Sequence, residues 1–344
     1  MSIFNYENIP RAAWLTVNRK CNFRCKWCYA ENTGYGKKEM TLGLAKNLFA
    51  LCHKIGVKKF LIIGGEPTLW KHLIEFNRFC TENNAETILV TNGVKFGNNN
   101  FWEKYLKFPN NQISLSLKAG NDKDLKSFTG FSNFDLLTKG ISRAVNQLNA
   151  NISITYNSCY KDSLINMAHF AKKCGAKTLK IDFCSTVFID EKPYSTYMVD
   201  PQEMVKNILE QYDQIDNIFN GCLVFEMMVP FCIWPKDFIE KLKIKGQILS
   251  VCHVHKKQGI IFDEEGNLLI CNALFNYPMG KYGIDFTDDT FLSWINKKEI
   301  SDVQNRLRCY PSIKCCGCKW YSDCGGGCPL RWTIYNPENI VTPI

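Results

Sequence analysis

Apolar positions in the first half of the chain alternate between two rhythms. Short strand-length runs occur at Ala13–Val17, Lys59–Ile63, Thr87–Thr91, Gln112–Leu117, Asn151–Tyr156 and Thr178–Phe183. Between them Leu42–Ile55, Leu69–Asn83, Phe101–Leu106, Phe134–Leu148 and Leu164–Cys174 carry apolar residues at helical spacing. Several of these stop at helix-ending residues, among them Gly56, Asn83 and Gly175. A strand and a helix repeating about every 30 residues is the beat of βα units around a parallel sheet. Six such strands predict an α/β fold with an open or partial barrel rather than a closed eight-stranded one. Functional residues then belong just after the C-terminal ends of the strands.

The beat fails after Phe183. A Pro-containing stretch, Cys184 to Asp200, leads to one more helical segment, Gln202–Ile218. Beyond Gly221 the pattern changes to hairpin signals: Gly259–Phe262, an acidic turn over Asp263–Gly266, then Asn267–Ile270. The expected organisation is a core over residues 1–220, a bridging region over 221–251 and a small cysteine-rich α+β domain over 252–344. Neither end of this pattern suggests a membrane. Leu223–Trp234, the longest apolar stretch, is interrupted by Glu226 and Pro230 and is too short to span a bilayer. Pro10 and Arg11 stand where a signal peptide would place apolar residues. A soluble, cytoplasmic protein is therefore expected, in which thiols stay reduced and clustered cysteines read as metal ligands.

Composition sharpens that reading. The 344 residues include 18 cysteines, below the roughly 8–10% of a disulfide scaffold but more than packing requires. A hydrophobic content of 46% excludes disorder. The formal charge of +9 permits an acidic partner without requiring one.

Directly after the first strand stand Cys21, Cys25 and Cys28, a C-x3-C-x2-C. Three thiolates can hold three irons of a [4Fe–4S] cube and leave the fourth open to another ligand; three ligands of a zinc site would share the spacing. The second strand ends in Gly64-Gly65-Glu66-Pro67, whose glycines expose backbone and whose carboxylate can accept from an ammonium. Together these motifs resemble the radical S-adenosylmethionine (SAM) superfamily, with the C-x3-C-x-aromatic-C signature after the first strand of a partial, TIM-like (β/α)6 barrel. Trp27 takes the aromatic place, and the likeness covers roughly residues 11–215.

The resemblance implies a SAM-binding [4Fe–4S] cluster on Cys21, Cys25 and Cys28. It implies that Gly64, Gly65, Glu66 and Pro67 hold the methionine ammonium, with Glu66 as charge partner. Asn92, in Thr91-Asn92-Gly93, would line the cofactor pocket. Ser116 matches the start of the family's Ser-Leu-Asp-Gly, although Lys118 and Ala119 replace Asp-Gly here. Arg143 and Asn157 complete the expected cofactor contacts. The implied reaction is reductive cleavage of SAM to a 5′-deoxyadenosyl radical, which takes a hydrogen atom from a substrate C–H bond.

A second cysteine group reads Cys252-x13-Gly266-x4-Cys271, then Cys315-x2-Cys318-x5-Cys324-x3-Cys328. Structural zinc knuckles are one reading of such spacing. Beside the first motif, it resembles the SPASM extension, which carries two auxiliary [4Fe–4S] clusters. The likeness implies Cys252, Cys271 and Cys328 on the nearer cluster, and Cys315, Cys318 and Cys324 on the farther. The family's last cysteine has no counterpart after Cys328, so Cys309 is the expected fourth ligand of the farther cluster. His253, Cys222, Cys232 or an open iron would complete the nearer one. Cys184, just past the sixth strand, is the residue placed to donate a hydrogen atom to a substrate radical.

The resemblance further implies a peptide or protein substrate, most plainly a ribosomally synthesised peptide undergoing crosslinking, epimerisation or a related change. A sulfatase-type maturase or small-molecule dehydrogenase is the alternative. Partners would be an electron donor such as flavodoxin or ferredoxin and, because only twenty residues precede Cys21, either a separate leader-peptide recognition protein or recognition by the barrel and the bridging region themselves. A zinc-knuckle nucleic-acid-binding protein would use the positive charge but leaves the first motif unexplained. Nucleic acid is accordingly not expected as a partner. Three clusters would in any case lower the charge to roughly +4.

Overall fold

The computed structural model describes residues 12–30, 38–249, 252–256 and 259–341; Pro10 and Arg11 lie outside them. Strands β1 (Ala12–Thr16), β2 (Lys59–Ile63), β3 (Glu86–Thr91), β4 (Gln112–Ser116), β5 (Ala150–Tyr156) and β6 (Leu179–Phe183) run side by side in chain order. All five pairings between them are parallel. A short antiparallel pair follows, β7 (Val187–Ile189) with β8 (Lys192–Tyr194).

The large sheet continues beyond β6. β9 (Leu223–Glu226) pairs parallel with β6 and β10 (Ile248–Leu249) with β9. At the other edge β11 (Gly259–Phe262) pairs parallel with β1, and β12 (Leu268–Leu269) is antiparallel to β11. Among the described residues the result is an open sheet of ten strands, a mostly parallel partial barrel. The divisions expected at residues 220 and 251 fall inside this strand order. Leu223–Glu226 merges into a longer apolar run, so no turn signal announces it as a strand.

Between the strands lie α1 (Leu42–Lys54), α2 (Leu73–Glu82), α3 (Asn99–Tyr105), α4 (Asp122–Thr129), α5 (Phe134–Gln147) and α6 (Leu164–Lys173), with α7 (Pro201–Ile218) after β8. Asn133 caps α5 by accepting from the Leu136 N–H at 2.9 Å. Helix α4 was not foreseen. Only Leu125 and Thr129 are buried on it, so its apolar stripe is too thin to show a period, although Asn121 caps its start and Gly130 closes it at φ 70°.

Alternation within the strands separates two faces. Leu15, Phe60, Ile62, Leu89, Ile113, Leu115, Ile152, Ile154, Leu179 and Ile181 are fully buried in one core with the helices. At about 1.5–3 kcal/mol per fully buried large side chain, this face drives formation of the sheet. The opposite face turns polar from β4 onward. Ser116 is in register with Ser153, and Thr155 with Asp182, so these side chains share that face with Ser114 and Lys180. An all-parallel sheet buried on both sides would be apolar there. This inner face is instead equipped to hold a ligand.

Candidate active site

The cysteine loop after β1 is fastened to the loop after β2. Gly65 N–H donates to Asn18 O at 2.8 Å and Glu66 N–H to Lys20 O at 2.7 Å, while Asn18 Nδ2 donates to Glu66 O at 3.0 Å. Both glycines are required by this approach. A Cβ on Gly64 would lie 2.6 Å from Asn18 Oδ1, and one on Gly65 would lie 2.5 Å from the carbonyl oxygens of Arg19 and Lys20. The end of α4 holds the other side of the loop: Arg24 N–H donates to Thr129 O at 2.8 Å and Lys26 N–H to Phe128 O at 3.1 Å. Trp27 packs edge-on against Tyr160 and Phe128.

Cys21, Cys25 and Cys28 thereby share one electrostatic environment. Burial pushes the Cys25 thiol up to about 12; Lys118 opposes that shift, and Cys28 and Cys21 add to it. Thiols so placed are poor anions unless a metal supplies positive charge. Phe23 N–H already donates to Cys21 Sγ at 3.3 Å, which solvates a ligating sulfur. The donor set fits a cluster.

Several expected cofactor contacts are engaged with protein instead. The buried Glu66 carboxylate accepts from Thr68 N–H (3.0 Å), Thr68 Oγ1 (2.6 Å), Thr91 Oγ1 (2.6 Å) and Asn92 N–H (2.8 Å). Four donors occupy the acceptor sites of this carboxylate, so Glu66 braces the pocket through Thr68, Thr91 and Asn92. Asn92 likewise caps Val94 N–H and donates to Asn22 Oδ1, tying β3 to the cysteine loop. Asn157 caps the turn at Ser158–Tyr160 and donates to Thr155 O. Arg143 donates to the carbonyls of Phe96 and Gly97 and to Asn99 Oδ1, which spends its guanidinium within the helical layer. Ser116 remains on the inner face, where its hydroxyl accepts from Lys118 Nζ at 2.6 Å. Pro67 starts the buried turn after Glu66.

Two unforeseen residues share that face. Lys118 is within electrostatic reach of Cys25, Asp182 and Cys184. Asp182 has a solvent-inaccessible Oδ1 with no hydrogen-bond partner among the described residues. Burial first, and Glu226 next, raise its carboxyl to about 6. Cys184, two residues on, is partly buried, and its thiol rises to about 11 chiefly through burial. The polar alternation of Lys180 and Asp182 within an otherwise apolar strand is the sequence signal that could have found Asp182.

Seven other thiols assemble in two further groups. Burial takes the Cys252 thiol to about 11 and the Cys271 thiol to about 12; the nearby Cys328 adds to both shifts and Cys252 adds to that of Cys271. Cys315 interacts with Cys232 and Cys318, and Cys324 with Cys232 and Cys315. Cys232 thus joins the farther set, brought there by the turn Phe231–Ile233, whose Phe231 N–H donates to Cys324 Sγ at 3.3 Å. Cys309 does not join it: it is exposed, and its thiol donates to Asn305 O of the helix Lys298–Leu307 that precedes it. Cys222 is exposed beside the N-terminal end of β9, whereas His253 Nε2 meets Ile270 O at 3.2 Å.

Gly325, Gly326 and Gly327 all adopt positive φ. A Cβ on Gly327 would meet Pro230 Cδ at 2.9 Å, so this backbone must be bare. Among the described residues no three His, Cys, Asp or Glu side chains converge tightly enough for a single ion. A cube places its thiolates at separate corners, a wider arrangement. Tyr29 lies within electrostatic reach of both Cys28 and Cys271, marking where the first and second groups approach.

Residues 15–157 match the model of the Radical SAM superfamily. These residues form a radical SAM domain. The match ends near the close of β5. The radical SAM domain also resembles probable GTP 3′,8-cyclases: 28% identity over 130 residues with that of Pyrococcus horikoshii, covering 38% of this chain and 41% of the relative. With that of Methanocaldococcus jannaschii the identity is 30%, covering 39% and 45%. The chain thus spans less than half the length of these relatives. Among solved structures, Streptococcus suis SuiB bound to precursor peptide SuiA superposes with a TM-score of 0.67 at 17% identity, over 93% of this chain and 72% of that one. Native anSMEcpe with bound AdoMet and Kp18Cys peptide gives 0.69 at 18%, over 92% and 88%. These likenesses extend the shared fold past the radical SAM domain into the cysteine-rich region. Among the described residues no helix is long and apolar enough to cross a membrane.

Proposed function

We propose that this chain is a radical SAM enzyme that modifies a peptide, with one [4Fe–4S] cluster on Cys21, Cys25 and Cys28 and two auxiliary clusters. The nearer would use Cys252, Cys271 and Cys328, and the farther Cys232, Cys315, Cys318 and Cys324. The observation carrying this reading is the succession of three thiol groups with the polar inner face, ending in Asp182 and Cys184, beside the first. Bound there, cluster and SAM supply hydrogen-atom abstraction from an unactivated C–H bond.

The chain's own residues do the positioning. Gly64 and Gly65 present bare backbone to the SAM methionine moiety, and Glu66 holds Thr91 and Asn92 rigid beside it. Asp182, with one free buried oxygen, is suited to accept a substrate proton at that atom. The peptide reading draws on the fold shared with SuiB and anSMEcpe, whose structures hold peptides. A flavodoxin or ferredoxin would supply electrons.

A GTP 3′,8-cyclase is the second reading, favoured by the sequence relatives. That likeness covers 38% of the chain and leaves the two C-terminal thiol groups without a role. The test incubates the reconstituted enzyme, SAM and reductant with peptides encoded by neighbouring reading frames, or with GTP. A modified peptide formed alongside 5′-deoxyadenosine is expected; conversion of GTP with every peptide untouched would overturn the peptide assignment.

A further inference from the structure

Arg331 occupies a place where a lone cation should not be. Its turn, Pro329–Thr333, follows Cys328 directly, and Arg331 N–H donates to Cys328 O at 3.1 Å. The side chain is 1% exposed. Nη2 makes one long contact of 3.5 Å with Cys184 O, while Nε and Nη1 are closed to solvent and have no hydrogen-bond partner among the described residues. A guanidinium stays charged at any ordinary pH, and a buried charge without a partner is strongly destabilising.

The groups acting on it are Cys328, Tyr335 and Cys184. None is a carboxylate. Burial holds the Cys184 thiol and the Tyr335 phenol in their neutral forms by raising both. Cys328 is the one neighbour that belongs to a thiol group, with Cys252 and Cys271.

We propose that Arg331 is the built-in countercharge of the iron–sulfur cluster held by Cys252, Cys271 and Cys328, and that it keeps the reduction potential of that cluster high. The proposal rests on the reading of those three cysteines as cluster ligands. Reduction adds one negative charge to the cube, so a fixed cation beside it favours the reduced form. Exclusion of water keeps that attraction from being screened. Charge and hydrogen bonding around the sulfurs are established levers on such potentials. A substrate carboxylate is the rival partner, but the two free nitrogens are shut off from solvent.

The experiment compares the reconstituted full chain with Arg331→Met, which removes the charge at similar length, and Arg331→Lys, which retains it. Each is titrated anaerobically with dithionite and followed by electron paramagnetic resonance, with iron and sulfide measured on the same samples. At the native midpoint, Arg331→Met should lower the reduced-to-oxidised ratio of the nearer auxiliary cluster at least tenfold, about 59 mV for one electron. The other two clusters should not move, and Arg331→Lys should recover most of the shift. Selective loss of that one cluster in Arg331→Met, with retention in Arg331→Lys, would equally support the countercharge. An unmoved potential at full iron content would overturn it, and a raised KM in that case would hand Arg331 to a substrate carboxylate. Loss of all three clusters from both variants would make Arg331 a packing residue and overturn it too. If Cys271→Ser loses no iron, the ligand reading itself has failed, which is a separate outcome.

Discussion

Replacing Glu66 by Gln separates two roles that the Gly-Gly-Glu-Pro motif allows. The native carboxylate accepts four hydrogen bonds of 2.6–3.0 Å while only 2% exposed. Glutamine offers one oxygen and replaces the other by an amide nitrogen that can only donate. If its oxygen keeps the three partners of Oε1, the new N–H group faces Asn92 N–H, donor against donor. One charge-assisted bond is lost, about 1.5–3 kcal/mol. A buried backbone N–H is left unsatisfied, about 1–3 kcal/mol more. Together these bring the expected loss to about 2.5–6 kcal/mol, and weakening of the three surviving bonds adds to it. Unfolding of the ligand-free protein by urea under anaerobic conditions reads this directly, with SAM affinity measured in parallel. The brace predicts a large loss of stability before any SAM is added. Ligand-free stability within about 0.5 kcal/mol of native, with SAM binding alone weakened, would refute it and restore Glu66 as the partner of the ammonium.

Three further outcomes follow from the same geometry. Cys232→Ser should lower reconstituted iron from about 12 to about 8 per chain while Cys309→Ser leaves it unchanged; the reverse pattern would return the farther cluster to Cys309. Asp182 has its carboxyl raised to about 6 by burial and Glu226, against about 3.9 when unfolded. The folded form therefore holds the extra proton, and this stabilisation is complete below pH 4 and lost as pH rises to about 6, up to about 3 kcal/mol. Asp182→Asn removes that dependence, so the native-minus-variant stability should fall across this window, and a flat difference would count against the buried carboxyl. Gly65→Ala forces a Cβ to within 2.5 Å of two backbone carbonyls, so the first cluster's iron should be lost while circular dichroism keeps its helical signal; full iron retention would show that the two loops are not locked together.

The βα rhythm was legible because each of the six strands keeps alternate residues buried beneath helices, and the intervening helices carry wide apolar stripes. Helix α4 escaped because it buries so little, although its end anchors Arg24 and Lys26 in the cysteine loop. Strand β9 escaped because Leu223–Glu226 is continuous with the apolar residues that follow. Local spacing identified Cys315, Cys318 and Cys324 as neighbours in the fold, but not the approach of Cys232 to Cys315 and Cys324. Cys309 is near in the chain, whereas Cys232 arrives from the bridging turn by tertiary packing that no spacing rule encodes. Arg143 on α5 and Asn157 after β5 bond to backbone groups here, a role that a polar side chain can take as readily as a cofactor contact and that sequence alone does not distinguish. Asp182 and Lys118 lay within view, since β6 and β4, which ends two residues before Lys118, alternate polar with apolar residues where a doubly buried parallel strand would not.

The account stands most directly on cleavage of SAM at Cys21, Cys25 and Cys28. Anaerobically reconstituted protein, given SAM and dithionite, should release 5′-deoxyadenosine, and Cys25→Ala should release none while remaining folded. Release by Cys25→Ala at the native rate, or none from native protein carrying a full complement of iron and sulfide, would contradict it.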